Sequence, residues 1–194
     1  EPAFDGWKVS DTEEYHRNRG MELLMPFAAC VLADYEAFNP DGESTRFPTR
    51  YLVQRVREAR VDIAGQTVGQ IAQGLLVLVC AEPQDSPTQC RKLVDKLLKL
   101  RIFTDDAGKM NLNVQQVQGG LLLVSQFTLA ADTSGGNRPS FTGAAPAALG
   151  EALFDEVVRC AREQHADVAT GRFGADMQVH LVNDGPVTIP LHIT

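Results

Sequence analysis

Gly74-Leu75-Leu76-Val77-Leu78-Val79-Cys80 decides the fold, because seven consecutive residues offer no polar face. A strand wetted on one side alternates apolar with polar residues. One without alternation is buried on both sides, so this stretch predicts a central strand. Downstream, Leu121-Leu122-Leu123-Val124 repeats the signature and predicts a second buried strand. Between them, Ser86-Pro87 offers an N-cap and a proline at the first helical position. Leu93, Val94, Leu97 and Leu98 then recur at helical spacing, with Asp95 four residues before Lys99. Pro146 opens a second helix, whose apolar stripe includes Leu149, Leu153, Phe154, Val157 and Val158.

Weaker signals extend the pattern in both directions. Tyr51–Val56 is a strand candidate, and Val61-Asp62-Ile63 and Thr67-Val68 flank Ala64-Gly65-Gln66 as a hairpin. Asp105-Asp106-Ala107-Gly108 reads as a turn. Met177–Val182 alternates as a strand, with a turn and then Val187–Ile193 after it. Many strands with two substantial helices predict an α+β protein with a sheet or barrel-like core.

The 194 residues, 44% hydrophobic and 22% charged, suit one domain with a sizeable core and an appendage. No uninterrupted apolar run reaches the ~18 residues that a spanning helix needs, so no membrane segment is expected. Cys30, Cys80, Cys90 and Cys160 are widely spaced and form no C-x-x-C pair. They predict reduced, buried thiols in a cytoplasmic protein rather than a zinc or redox site.

A net charge of −7 looks wrong for an RNA-binding protein, but it is unevenly spread. Residues 1–48 carry −6 and the remainder only −1. A near-neutral body can hold a local basic patch, although charge alone gives no argument for nucleic acid. Met21–Ala33 faintly resembles a signal peptide, but Glu22 and Pro26 interrupt it. A short helix or docking segment is the expectation there, with Asn39–Ser44 as a linker. Residues 1–48 thus read as an extension without an assigned function, for which poor order is one expectation.

The common catalytic motifs are missing: no G-x-S-x-G, H-E-x-x-H, Walker lysine loop or G-x-G-x-x-G after a strand. His16, His165, His180 and His192 are scattered, so the sequence implies no histidine base, no metal and no cofactor. Two segments stand out instead. Ser125-Gln126-Phe127-Thr128-Leu129 interrupts a buried strand with hydroxyls and an amide, which must be hydrogen-bonded or line a pocket. It is either a strand end whose side chains bond the backbone, or a strand edge offering N–H groups as an oxyanion hole beside Thr128. Asn183-Asp184-Gly185-Pro186-Val187-Thr188 reads as a hairpin turn. A cis Gly185-Pro186 bond would aim its carbonyls in directions that an ordinary turn forbids.

Together these segments resemble the D-aminoacyl-tRNA deacylase family, formerly called D-tyrosyl-tRNA deacylases. The likeness includes Gln54-Arg55-Val56, Gly74–Val79, and, as one motif, Leu100-Arg101-Ile102-Phe103 with Gly108-Lys109-Met110-Asn111-Leu112. It continues through Ser125–Leu129, Arg138-Pro139-Ser140-Phe141, Thr170-Gly171-Arg172-Phe173-Gly174 and Asn183–Thr188. Seven motifs run in register from about Thr49 to the C-terminus, which marks 49–194 as the deacylase domain.

The resemblance implies a homodimer acting on D-aminoacyl-tRNA, with each active site at the subunit interface. One subunit's cis Gly185-Pro186 would enter its partner's pocket and bind the substrate α-ammonium, rejecting an L side chain by a clash. Arg55 would brace that turn. Ser125, Gln126, Phe127 and Thr128 would carry catalysis, through backbone N–H groups or through Thr128 as a nucleophile. Phe173 and Met177 would line the adenosine or amino-acid pocket, or else serve the core. One departure is the loop Ser134-Gly135-Gly136-Asn137, where many relatives carry a basic residue. The alternatives are an editing relative that acts on L-alanyl-tRNA, a non-catalytic tRNA- or DNA-binding module, and a purely structural dimer.

Overall fold

The computed structural model describes residues 51–193. The expected extension at 1–48, with its Met21–Ala33 segment and its linker, lies outside the described residues.

The chain runs β1 (Tyr51–Ile63), β2 (Gln66–Ile71), β3 (Gly74–Val79), α1 (Pro87–Lys99), β4 (Phe103–Thr104) and β5 (Met110–Leu112). It continues with β6 (Gly120–Ser125), a 3-10 turn (Phe127–Ala130), α2 (Ala147–Gln164), β7 (Val168–Thr170) and β8 (Gln178–Leu191). The six-stranded sheet has the order β2-β1-β3-β6-β7, with β8 on the other edge of β1. β3 pairs parallel with β6, and β6 with β7, as two strands flanking a helical crossover should. β4 and β5 form a separate two-stranded sheet.

The doubly apolar strands sit at the centre because each of their faces has its own core. Leu75, Val77, Leu121 and Leu123 face α1 and α2 with Leu93, Val94, Leu97, Leu153 and Val157. Leu76, Leu122 and Val124 face the other way, into a smaller cluster with Val56, Val61 and Ile71. That second core exists because the sheet curls almost into a barrel. At Gly69 on β2 an added Cβ would collide with the carbonyl of Thr170 on β7, so the two ends of the strand order come together there. The absence of a side chain lets the backbones approach.

Two strands are longer than the sequence predicts. β1 is one strand of 13 residues rather than two short ones, because Arg57, Glu58 and Arg60 point outward where the apolar reading breaks. β8 likewise continues through 183–188, and the hairpin turn expected there does not form. The chain keeps its direction: Val56 pairs with Asn183 and Gln54 with Thr188, so five steps on β8 oppose two on β1. The surplus residues arch out of the ladder as a large bulge, which lets Gly and Pro occupy a paired strand.

Candidate active site

Ser125 ends β6 opposite Val79. The Gln126 amide donates to the Val79 carbonyl at 2.8 Å, and the chain then tightens into the 3-10 turn instead of continuing as a strand edge. Leu129 N–H donates to Gln126 O at 3.2 Å, and Ala131 N–H to Thr128 O at 3.0 Å. The first N–H groups of any helical turn have no partner within it. Among the described residues no acceptor meets the amides of Phe127 and Thr128, both exposed. Among the described residues two adjacent donors are therefore without an acceptor at the end of a central strand.

The Gln126 side-chain amide donates to Thr128 Oγ1, and the Cys80 thiol to Phe127 O at 3.6 Å. Among the described residues no carboxylate or imidazole bonds the Thr128 hydroxyl, so none of them is positioned to take its proton. Beside the turn, the rings of Phe127 and Phe141 meet edge-on with centroids 5.1 Å apart. Phe141 comes from the loop that carries Arg138-Pro139-Ser140, which returns to the turn through paired 2.7 Å bonds between Asp132 and Ser140.

Gly185-Pro186 forms the exposed crest of the β8 bulge, and the bond is cis. Arg55, buried on β1, reaches beneath it. Its Nε donates to Asp184 O at 2.9 Å and its Nη1 to Ile102 O at 2.5 Å. Sequence reasoning found Arg55 but missed the residues that complete the brace. Asn183 spans the bulge, accepting from Val187 N–H at 2.9 Å and donating to Thr188 Oγ1 at 3.0 Å. Arg57 Nε bonds Asp184 Oδ1 at 2.9 Å from the solvent side. An amide side chain four residues before a backbone N–H was the signal available for Asn183. Nothing local marks Arg57, whose partner is set by the register of β1 against β8.

Phe173 and Met177 pack on the two different core clusters. Phe173 packs against the helical core, its ring 6.4 Å from that of Phe154. Met177 packs on the smaller cluster, with its sulfur 3.4 Å from the Arg172 amide. Both are half-buried.

Within one chain the two polar segments do not meet. The Gly-Pro bulge lies opposite Gln54–Val56, whose partners on β3 are Leu76 to Gly74, whereas Ser125 lies opposite Val79 at the other end of that strand. At ~3.3 Å per residue, the four steps from Leu75 to Val79 amount to about 13 Å. Among the described residues no group of His, Cys, Asp and Glu is arranged to hold a metal, and no helix is long and apolar enough to cross a membrane.

This architecture is shared with proteins of known structure. It matches a c-Myc DNA unwinding element binding protein with a TM-score of 0.70 and 37% identity, over 74% of this chain and 98% of that one. A probable eukaryotic D-amino acid tRNA deacylase has the same fold, with a TM-score of 0.63 at 18% identity over 72% and 96%. D-aminoacyl-tRNA deacylase of Polaromonas naphthalenivorans is 68% identical over 147 residues, 73% of this chain and 96% of its own. That of Pseudomonas putida strain F1 is 67% identical over 144 residues, covering 74% and 99%. The D-Tyr-tRNA(Tyr) deacylase family model matches residues 52–192, and the chain belongs to that family of hydrolases.

Proposed function

We propose that the protein frees tRNA from D-amino acids and glycine as a chiral proofreading step in translation, using backbone amides as its catalytic groups. The observation that carries this reading is the pair of N–H groups of Phe127 and Thr128, which no acceptor among the described residues meets. Water adds to the ester carbonyl, and the carbonyl oxygen takes up negative charge between the two donors. The carbon–oxygen bond to the ribose then breaks, with the neighbouring 2′-hydroxyl assisting proton transfer. Such preorganised donors are worth about a hundredfold to a thousandfold each. Thr128 as nucleophile is disfavoured, because its hydroxyl receives a hydrogen bond from Gln126 and faces no base among the described residues.

Gly185 and Pro186 supply the chiral test: their carbonyls accept from the α-ammonium, and an L side chain is then driven into a clash. The crest is exposed, and the oxyanion donors sit at the far end of β3 in the same chain. This separation supports a homodimer in which one subunit's Gly-Pro crest completes its partner's pocket. Phe173 and Met177 line that pocket with the edges that the core leaves uncovered. Buried Cys80, Cys90 and Cys160 fit a reducing cytoplasm.

The test is hydrolysis of D-Tyr-tRNA beside L-Tyr-tRNA by catalytic amounts of the full chain. Rapid cleavage of D alone is expected, and equal cleavage of both would overturn the chiral reading. A second reading, a nucleic-acid-binding module without turnover, is favoured by the likeness to a c-Myc DNA unwinding element binding protein. Tight DNA or tRNA binding without cleavage would establish it. Turnover confined to L-Ala-tRNA would assign the protein to the other editing specificity.

A further inference from the structure

The motif Leu100–Leu112 is not used by the catalytic reading, yet together with α1 before it it carries a row of exposed cations. On α1, Lys92, Lys96 and Lys99 recur at i, i+4 and i+7, so they share one face over about 10 Å of helix. All three are exposed, opposite buried Leu93, Val94, Leu97 and Leu98. The row continues past the helix end with exposed Arg101 and, on the β4–β5 hairpin, exposed Lys109. Arg101 is aimed by its own contact, Nε donating to Asn111 O at 2.8 Å.

A solvated helix face is the plainer explanation, and the helix dipole would favour Lys96 and Lys99 in the last turn. Two features exceed it. Positive charge persists beyond the last helical turn at Arg101 and Lys109, with Asp105 and Asp106 of the intervening turn as the acids beside them. It is also segregated: α1 holds Arg91 and the three lysines against Asp95 alone, whereas α2 beside it holds four acids against two arginines. Solubility requires no such sorting in a chain of net charge −7. The row is also tied to the site, since the Ile102 carbonyl next to Arg101 is the one that Arg55 grips while it braces Asp184.

We propose that Lys92, Lys96, Lys99, Arg101 and Lys109 form the surface on which the phosphates of the tRNA acceptor stem lie while its aminoacyl end occupies the site. This rests on reading the substrate as aminoacyl-tRNA and adds where the rest of that RNA is held. The loop before Arg138, Ser134-Gly135-Gly136-Asn137, holds no cation of its own, and this row supplies phosphate contacts from another element.

The experiment uses the full chain with the pair Lys96→Glu and Lys99→Glu, and Arg162→Glu on the exposed face of α2 as control. With D-Tyr-tRNA, the lysine pair raises KM about tenfold or more near 0.15 M salt and changes kcat by less than about threefold. It also flattens the log KM against log salt slope by about 1 per charge. A short D-tyrosyl ester with no RNA stem separates phosphate contact from damage to the site. If KM for that ester moves as far as KM for the tRNA, the surface is not a phosphate track. An unchanged KM and slope for tRNA would overturn the proposal outright. If the parent protein cleaves no D-Tyr-tRNA, the catalytic reading fails separately. The surface is then judged by affinity for uncharged tRNA, which the lysine pair must weaken with the same flattening of the salt slope.

Discussion

At Thr128, the choice of mechanism depends on which way one hydrogen bond runs. An amide nitrogen can only donate, so Gln126 Nε2 uses the threonine oxygen as an acceptor and withdraws no proton from it. Thr128→Ala therefore loses a brace worth about 1 kcal/mol, while the backbone N–H stays. We expect kcat for D-Tyr-tRNA to fall no more than about tenfold; a drop of ten-thousandfold with the fold intact would instead identify the hydroxyl as the nucleophile. Gly185 is the opposite case. Its φ of +125° is a conformation that L side chains rarely adopt, and an added Cβ would stand 2.7 Å from Arg55 Nη2 and 2.9 Å from Val187 Cγ2. Gly185→Val must displace either the crest or its brace, and misplacement by about 1 Å can cost roughly a hundredfold. Single-turnover rates measured beside a circular-dichroism spectrum check this, and a fully active variant would remove the crest from the mechanism. Both residues were legible because polar or turn-forming groups interrupt apolar strands. Arg57 was not, since its bond to Asp184 depends on how two distant strands align.

Elements were read best where one physical signal dominated. Both doubly buried strands and both helices stand where the sequence predicts them, because burial on two faces and helical periodicity each leave a repeating trace. What failed was continuity. Charged residues on the wet side of β1 split one strand into two apparent ones, and glycine with proline disguised a bulge as a chain reversal. The strand order was not legible either, since near-closure depends on Gly69 meeting Thr170 about a hundred residues away. The start of α1 is a local feature that can be tested alone. Ser86 Oγ accepts from Thr88 N–H at 3.3 Å, and Gln89 Oε1 accepts from Ser86 N–H at 3.1 Å, a reciprocal cap. Ser86→Ala should cost about 1 kcal/mol, or roughly 2–4 °C in Tm for a domain of this size. Differential scanning calorimetry measures it, and an unshifted Tm would show that tertiary packing alone fixes this helix end.

For the whole molecule, the α1–α2 seam links stability to pH at both extremes. Glu156 on α2 accepts two bonds from Arg159, at 2.8 and 2.7 Å, with Arg91 of α1 at 3.9 Å. The Arg159 hydrogen bonds lead in holding its carboxyl down to about 2, against an ordinary 4.5. A depressed acid favours the folded state above its unfolded value, and that contribution is lost as pH falls through the folded one. Cys90, on the buried side of the same seam, is pushed up to about 12 from 9.0, chiefly by burial and then by the charge of Glu156. Its contribution has the opposite sign, present below pH 9 and lost as pH rises toward 12. Urea midpoints measured from pH 2 to 7 should show parent and Glu156→Gln farthest apart above about pH 5, converging as the carboxyl is protonated. Above pH 9 the parent should lose stability faster than Cys90→Ala, which has no thiol to ionise on unfolding. A gap between parent and Glu156→Gln that stays constant down to pH 2 would mean that Glu156 acts through packing rather than charge. In that case the seam would owe its stability to the apolar contacts of Leu93, Leu97, Leu153 and Val157 alone.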